Sequence, residues 1–127
     1  MPQQIVRTPP VKTRWHFVLP LLPPSVNHAY LPNGKGGRYM TTEARSARST
    51  FTLAALAAGF RSNVAATYRV ELSFTMPDWA LDLDGPVKLA LDAMFAEGHH
   101  DHRIIRLLVR KAVAPGVSRT EVWIEQE

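Results

Sequence analysis

Between Tyr68 and Met76 the chain alternates strictly, with Val70, Leu72, Phe74 and Met76 on one side and Arg69, Glu71, Ser73 and Thr75 on the other. A period of two predicts a strand with one buried and one wet face. Pro77 ends it, because proline brings no N–H to a ladder. Trp15-His16-Phe17-Val18-Leu19 is a shorter aromatic and β-branched strand signal, stopped by Pro20. Ile104 to Val113 reads as another strand, followed by an Ala114-Pro115-Gly116 turn. Val117 to Glu125 reads as the last, with Val122 and Ile124 alternating against Glu121, Trp123 and Glu125.

Two segments carry helix signals instead. Thr41 or Thr42 suits an N-cap, Glu43 favours a first turn, and Gly59 supplies a stop. On that helix Arg45 and Arg48 mark the polar side, while Phe51, Leu53, Ala54, Leu56 and Ala57 suit burial. The second helix starts at Pro86, with Asp84 or Gly85 as its cap. Val87, Ala90, Leu91 and Met94 form its apolar stripe, and Gly98 closes it. Residues 20–40 read as a long loop whose tip, Asn33 to Arg38, is glycine-rich and basic; a hairpin fits within it. Residues 1–13 hold three prolines and no periodicity, and are expected to form a mobile arm before a single domain over 14–127. The order β-α-β-α-β-β predicts a two-layer α+β domain, a mixed sheet with helices on one face.

Composition narrows the function classes. A chain of 127 residues suits one domain, and 46% hydrophobic residues suffice for a core. The absence of cysteine excludes disulfides, thiolate metal sites and cysteine nucleophiles. No apolar run approaches the ~20 residues of a bilayer span, and Met1 to Arg14 has no hydrophobic stretch of the signal-peptide kind. A cytoplasmic protein with no membrane partner is the expectation. The net charge of +4 is unevenly spread. All five aspartates lie within residues 78–101; with Glu97 and Lys88 that stretch carries −5, leaving +9 elsewhere. A basic body attracts polyanions, whereas a carboxylate patch repels them unless a cation intervenes.

Asp82-Leu83-Asp84 is the centre of that patch. In an extended segment residues two apart project together, so both carboxylates would face one way and Leu83 the core. Two such charges favour a bridging cation, and Mg²⁺ takes one or two carboxylates with water and phosphate completing its shell. A helix cap beside a solvated acid is the commoner meaning of D-x-D alone. Lys88 stands four residues after Asp84, and Asp92 four further on, spacings that share a helix face. A lysine beside a metal-binding acid pair suits a scissile phosphate; a plain surface ion pair is the alternative. His99-His100-Asp101-His102 adds imidazoles that would favour Mn²⁺ or Zn²⁺, or else forms a polar connecting loop.

The motifs resemble those of RusA-type Holliday-junction resolvases. Leu19-Pro20 with Pro23-Pro24-Ser25-Val26-Asn27-His28-Ala29-Tyr30 is similar to that family's early signature. Met76-Pro77-Asp78, Leu81-Asp82-Leu83-Asp84, Lys88 and Leu91-Asp92-Ala93-Met94 are similar to its central block in residue type and spacing. Gly98, Asp101 and Ile104-Ile105 resemble its closing segment. The resemblance covers about residues 15 to 125. It implies a homodimeric, Mg²⁺-dependent endonuclease, bacterial or phage-encoded, that nicks four-way DNA junctions symmetrically and uses no nucleotide cofactor. Asp82 and Asp84 then match the catalytic, metal-binding acids, Lys88 the catalytic lysine, and Asp92 a supporting acid. Two positions depart from the pattern. Gly85 replaces an asparagine, and the closing acid pair becomes Asp101-His102. Three outcomes stay open: His102 ligates the metal and shifts preference toward Mn²⁺, Asp101 reaches in as catalytic ligand, or the site is impaired and leaves a DNA-binding protein.

Branched DNA would be met electrostatically. Lys35, Arg38, Arg45, Arg48 and Arg103 are the principal candidates, with Arg61, Arg106, Arg110 and Lys111 beside them. Trp79 is read as a stacking or core residue, Trp15 and Trp123 as core or dimer interface. The chemistry expected is in-line attack by a metal-activated water, with Lys88 offsetting charge on the phosphoryl oxygens.

Overall fold

The computed structural model describes residues 13–25, 29–32 and 34–127. The arm expected over 1–13 lies outside them except for Thr13, whose carbonyl accepts the Gln126 N–H at 2.8 Å. In chain order the elements are β1 (Arg14–Leu19), β2 (Tyr30–Pro32), β3 (Arg38–Met40), α1 (Thr42–Ala57), β4 (Tyr68–Met76), α2 (Val87–Met94), 3-10 turns at Ala96–Gly98 and Asp101–Arg103, β5 (Ile104–Val113) and β6 (Arg119–Gln126). The expected α+β order is thus present, with a two-stranded hairpin, β2 against β3, inserted in the long loop.

The main sheet is mixed, in the order β1-β6-β4-β5. β6 runs antiparallel to β1 and β4, while β4 and β5 are parallel. The alternation in β4 sets which face is buried: Val70, Leu72, Phe74 and Met76 are essentially inaccessible. They join Trp15, Phe17, Leu19, Val122 and Ile124 beneath Phe51 and Ala55 of α1 and Ala90, Ala93 and Met94 of α2. The opposite face carries ion pairs, among them Arg69 with Glu125 (2.7 Å) and Arg110 with Glu71 (3.3 Å), and a hydrogen bond between His16 and Glu121 (2.6 Å).

One buried face and two boundaries differ from expectation. The buried stripe of α1 is Ala44, Ala47, Phe51 and Ala55; Leu53 and Leu56 are 65% and 42% exposed. Small alanines let the helix lie close to the sheet layer, and that rotation turns the two leucines outward. The last strand begins at Arg119 and not Val117, because the Val117 N–H is used in the turn to the Ala114 carbonyl (3.0 Å). The second helix stops at Met94, four residues before Gly98. There Phe95 enters an aromatic cluster, edge-on to Phe60 and Tyr68 with ring centroids 5.3 and 5.4 Å apart. Such edge contacts are favoured by the ring quadrupoles. They anchor the chain just as it leaves α2.

Candidate active site

From that anchor residues 95–103 fold back over α2. Gly98 and His100 both donate backbone N–H groups to the Phe95 carbonyl, at 3.2 and 3.0 Å. His100 Nδ1 meets Ser62 Oγ at 2.8 Å, and Arg103 Nε donates to the Ala66 carbonyl at 2.9 Å. Ala96 takes a left-handed backbone (φ 53°), an uncommon conformation for a residue with a Cβ. Gly98 is also left-handed (φ 86°), and a Cβ there would lie 3.0 Å from Asp92 Oδ1. Glycine therefore fits twice over, in backbone conformation and in space.

The fold-back brings Asp101 to Lys88. The Lys88 ammonium lies 2.9 Å from Asp92 Oδ1, one helical turn away, and 3.5 Å from Asp101 Oδ2. Asp92 is the more enclosed carboxylate, with 14% of its side chain exposed against 34% for Asp101. The hydrogen bond to Asp92 pushes the Lys88 pKa upward; partial burial opposes this, and the charges of Asp92 and Asp101 add to the rise. Lys88 is accordingly a fixed cation at neutral pH. Three residues separated by up to thirteen positions in the chain thus form one cluster, whose members all come from the expected site set.

Asp82 and Asp84 stand on the loop that enters α2. The segment is not extended, as the sequence suggested, but bent. Several contacts shape it. Asp78 Oδ1 accepts the Ala80 N–H at 2.8 Å, an Asx turn, and the Asp84 carbonyl accepts the Val87 N–H at 3.2 Å. Lys111 Nζ donates to the carbonyls of Trp79 (3.0 Å) and Leu81. The helix begins with Pro86 in the cap position and no side-chain cap, which corrects the assignment of that role to Asp84 or Gly85. Leu83 nonetheless packs against the core, and both acids are exposed. Gly85 has a steric cause: a Cβ there would sit 2.9 Å from Ser25 Cβ. The Pro-Pro-Ser segment crosses so closely that an asparagine would have to displace it.

Asp84 and Lys88 border one cleft of about 510 Å³ whose other walls are Leu83, Val87, Leu91, Leu107 and Val109. Among the described residues neither Asp82 nor Asp84 enters an ion pair, and no three His, Asp or Glu side chains converge as a ready-made metal cage. Two exposed carboxylates with hard oxygen donors nevertheless suit Mg²⁺, which keeps several waters and asks for one or two carboxylates. His102 is exposed, and His100 is engaged by Ser62.

The basic candidates divide. Lys35, Arg38 and Arg45 are exposed on the hairpin tip, β3 and the first turn of α1, and Arg48 is half-buried on α1. Arg103 holds its own loop to the Ala66 carbonyl, Arg110 pairs with Glu71, and Lys111 holds the acid loop. Trp79 is 77% exposed, so its core alternative is excluded; Trp15 belongs to the core. The role of Lys111 had a sequence signal. It interrupts an otherwise apolar column, Leu107, Val109 and Val113, on the helix-facing side of β5.

Compared with models of known protein families the chain matches none, and no curated protein matches it.

Proposed function

We propose that this protein is a divalent-metal-dependent endonuclease that nicks branched DNA, four-way junctions included, and acts as a homodimer. One observation carries the reading: Lys88 lies between Asp92 and Asp101 on the helix that the Asp82-Leu83-Asp84 loop leads into. A cation at neutral pH in the cleft that Asp84 borders, with Asp82 on the same loop and neither acid in an ion pair among the described residues, suits a phosphodiester and the metal that accompanies it.

Asp82 and Asp84 would hold Mg²⁺, or Mn²⁺, which when bound would polarise a water and neutralise phosphate charge. Asp92 keeps Lys88 oriented through the shorter contact. Lys88 can turn from the longer contact with Asp101 toward a phosphoryl oxygen, since an ammonium has three donors. Apart from Asp84 and Lys88 the walls of that cleft are apolar. Lys35, Arg38, Arg45 and Arg48 would make phosphate contacts that position the DNA and carry little sequence information.

Two symmetric nicks ask for two sites. β5, ten residues long, pairs only with β4 among the described residues and leaves Ile105, Leu107 and Leu108 between 44% and 51% exposed. An edge of that length is a surface for self-association.

The test is cleavage of a synthetic four-way junction in Mg²⁺ and in Mn²⁺ by the native chain and by Asp82→Asn. Nicking by the native chain, lost in the variant while junction binding persists, is the expected result; equal nicking by both would refute the role of Asp82. A second reading, junction binding without cleavage, is favoured by one feature: Asp101 is held by Lys88, and no third ligand joins the acid pair among the described residues. Binding without nicking in both metals would select it.

A further inference from the structure

We propose that Lys111 is a positioning residue that sets the orientation of Asp82, and so tunes divalent-cation affinity from a strand that contributes no ligand. The inference rests on the metal-site reading above. It begins from an anomaly in β5. Register pairs Val70 with Leu107, Leu72 with Val109, Phe74 with Lys111 and Met76 with Val113, so a lysine stands where the column is otherwise apolar. Its stem continues the apolar column, and its ammonium extends to the loop beyond it. There Nζ donates to the Trp79 carbonyl at 3.0 Å and to the Leu81 carbonyl, and it lies 5.6 Å from the centroid of the Trp79 ring.

The second of these carbonyls gives the lysine its reach. The Leu81 carbonyl belongs to the same planar peptide as the Asp82 N–H, so fixing one fixes the other. The Asp82 side chain leaves the chain at the very next atom. On its other side the loop is held by Leu83 packed against the core and by Gly85 against Ser25. Asp82 therefore sits between two anchors, and Lys111 is the only charged one among the described residues. The loop carries Asp78, Asp82 and Asp84, so its carbonyls and carboxylates share a region of negative potential that a nearby cation relieves. Without that cation the two carbonyls would turn to water, the peptide would rotate, and the Asp82 carboxylate would lose its fixed direction.

The experiment uses the full chain with Mn²⁺ alone as probe, its binding followed by electron paramagnetic resonance. Hydrogen exchange at the amides of residues 79–83 is measured alongside. Lys111→Met keeps the apolar stem and removes the donors. It is expected to weaken Mn²⁺ binding at least tenfold and to speed exchange across the loop while the melting temperature of the sheet stays near that of the native chain. Lys111→Arg, which restores a cation and several donors, is expected to recover most of both effects; a packing role would not need the charge. Equal Mn²⁺ affinity and equal loop exchange in Lys111→Met would overturn the inference, as would failure of Lys111→Arg to rescue. Should the methionine variant not fold, Lys111→Gln, too short to reach both carbonyls, gives the same comparison. If the native chain binds no Mn²⁺, the metal-site reading falls; unchanged loop exchange would separately show that Lys111 does not order the loop.

Discussion

Substituting Gly98 by alanine should disturb the cluster without touching any of its charged members. Two costs combine. The backbone there is left-handed (φ 86°), which costs a residue with a Cβ about 1 kcal/mol. The new Cβ would also stand 3.0 Å from Asp92 Oδ1 and 3.4 Å from its Cγ, a few tenths of an ångström inside normal contact. Asp92 is enclosed and tied to Lys88 at 2.9 Å, so it can yield only by lengthening that bond. An exposed lysine in an i,i+4 pair contributes about 0.3–0.5 kcal/mol, so the contact adds about that much. The total, roughly 1.5 kcal/mol, should lower the melting temperature by roughly 5 °C for a chain of this size. A double-mutant cycle in urea separates the parts: in an Asp92→Ala background only the backbone cost remains, so Gly98→Ala should be milder there by about 0.5 kcal/mol. Full additivity would refute the contact, and an unchanged midpoint for Gly98→Ala alone would refute the left-handed conformation as well.

Leu72→Asp places a carboxylate at a fully buried position in the central strand β4, with no partner for it, and should cost more than about 4 kcal/mol and unfold the chain by circular dichroism. The Lys88 bridge gives a pH dependence of known sign. Its folded-state pKa is raised above the ordinary 10.5 by the bond to Asp92, so its stabilisation is complete below 10.5 and is lost as pH rises through the higher folded value. More than half of the Lys88 side chain is exposed, so solvent screening keeps the effect below about 0.5 kcal/mol. The stability difference between the native chain and Lys88→Met, from urea midpoints, should be flat between pH 7 and pH 9 and shrink as pH rises beyond 10.5; a difference that grows with alkalinity would contradict the assignment.

Where a single local rule decides, the sequence sufficed. The period of two in residues 68–76 and the branched, largely apolar stretch 104–113 mark β4 and β5 at their observed ends, and Thr41 is the N-cap, accepting the Ala44 N–H at 3.2 Å. Tertiary contacts decide the rest. Leu53 and Leu56 are apolar residues in a helix, but which face turns inward depends on the sheet beneath it. The acid segment looks extended because D-L-D alternates, yet an Asx turn, Lys111 and the close crossing of Ser25 bend it. The site shows the same division. Lys88 and Asp92 are one turn apart, so helical spacing gives their contact directly. Asp101 joins them through the turn at Gly98, which the glycine signals, and through the aromatic anchoring of Phe95, which has no local signature.

The charge pattern can now be resolved residue by residue. Within the −5 stretch, Asp78 is used by its own turn, and Asp92 and Asp101 share Lys88. Asp92 and Asp101 thus have a cation beside them, and Asp78 a backbone donor. Asp82 and Asp84 are different: both are exposed, neither enters an ion pair among the described residues, and Lys111, the nearest basic anchor of their loop, spends its donors on backbone carbonyls. An outside cation is therefore drawn first to these two carboxylates. A phosphate approaching the cleft would meet Lys88 on one side and that unmet negative charge on the other. Binding of phosphate and of a divalent ion should then be mutually favourable, each lowering the electrostatic cost of the other.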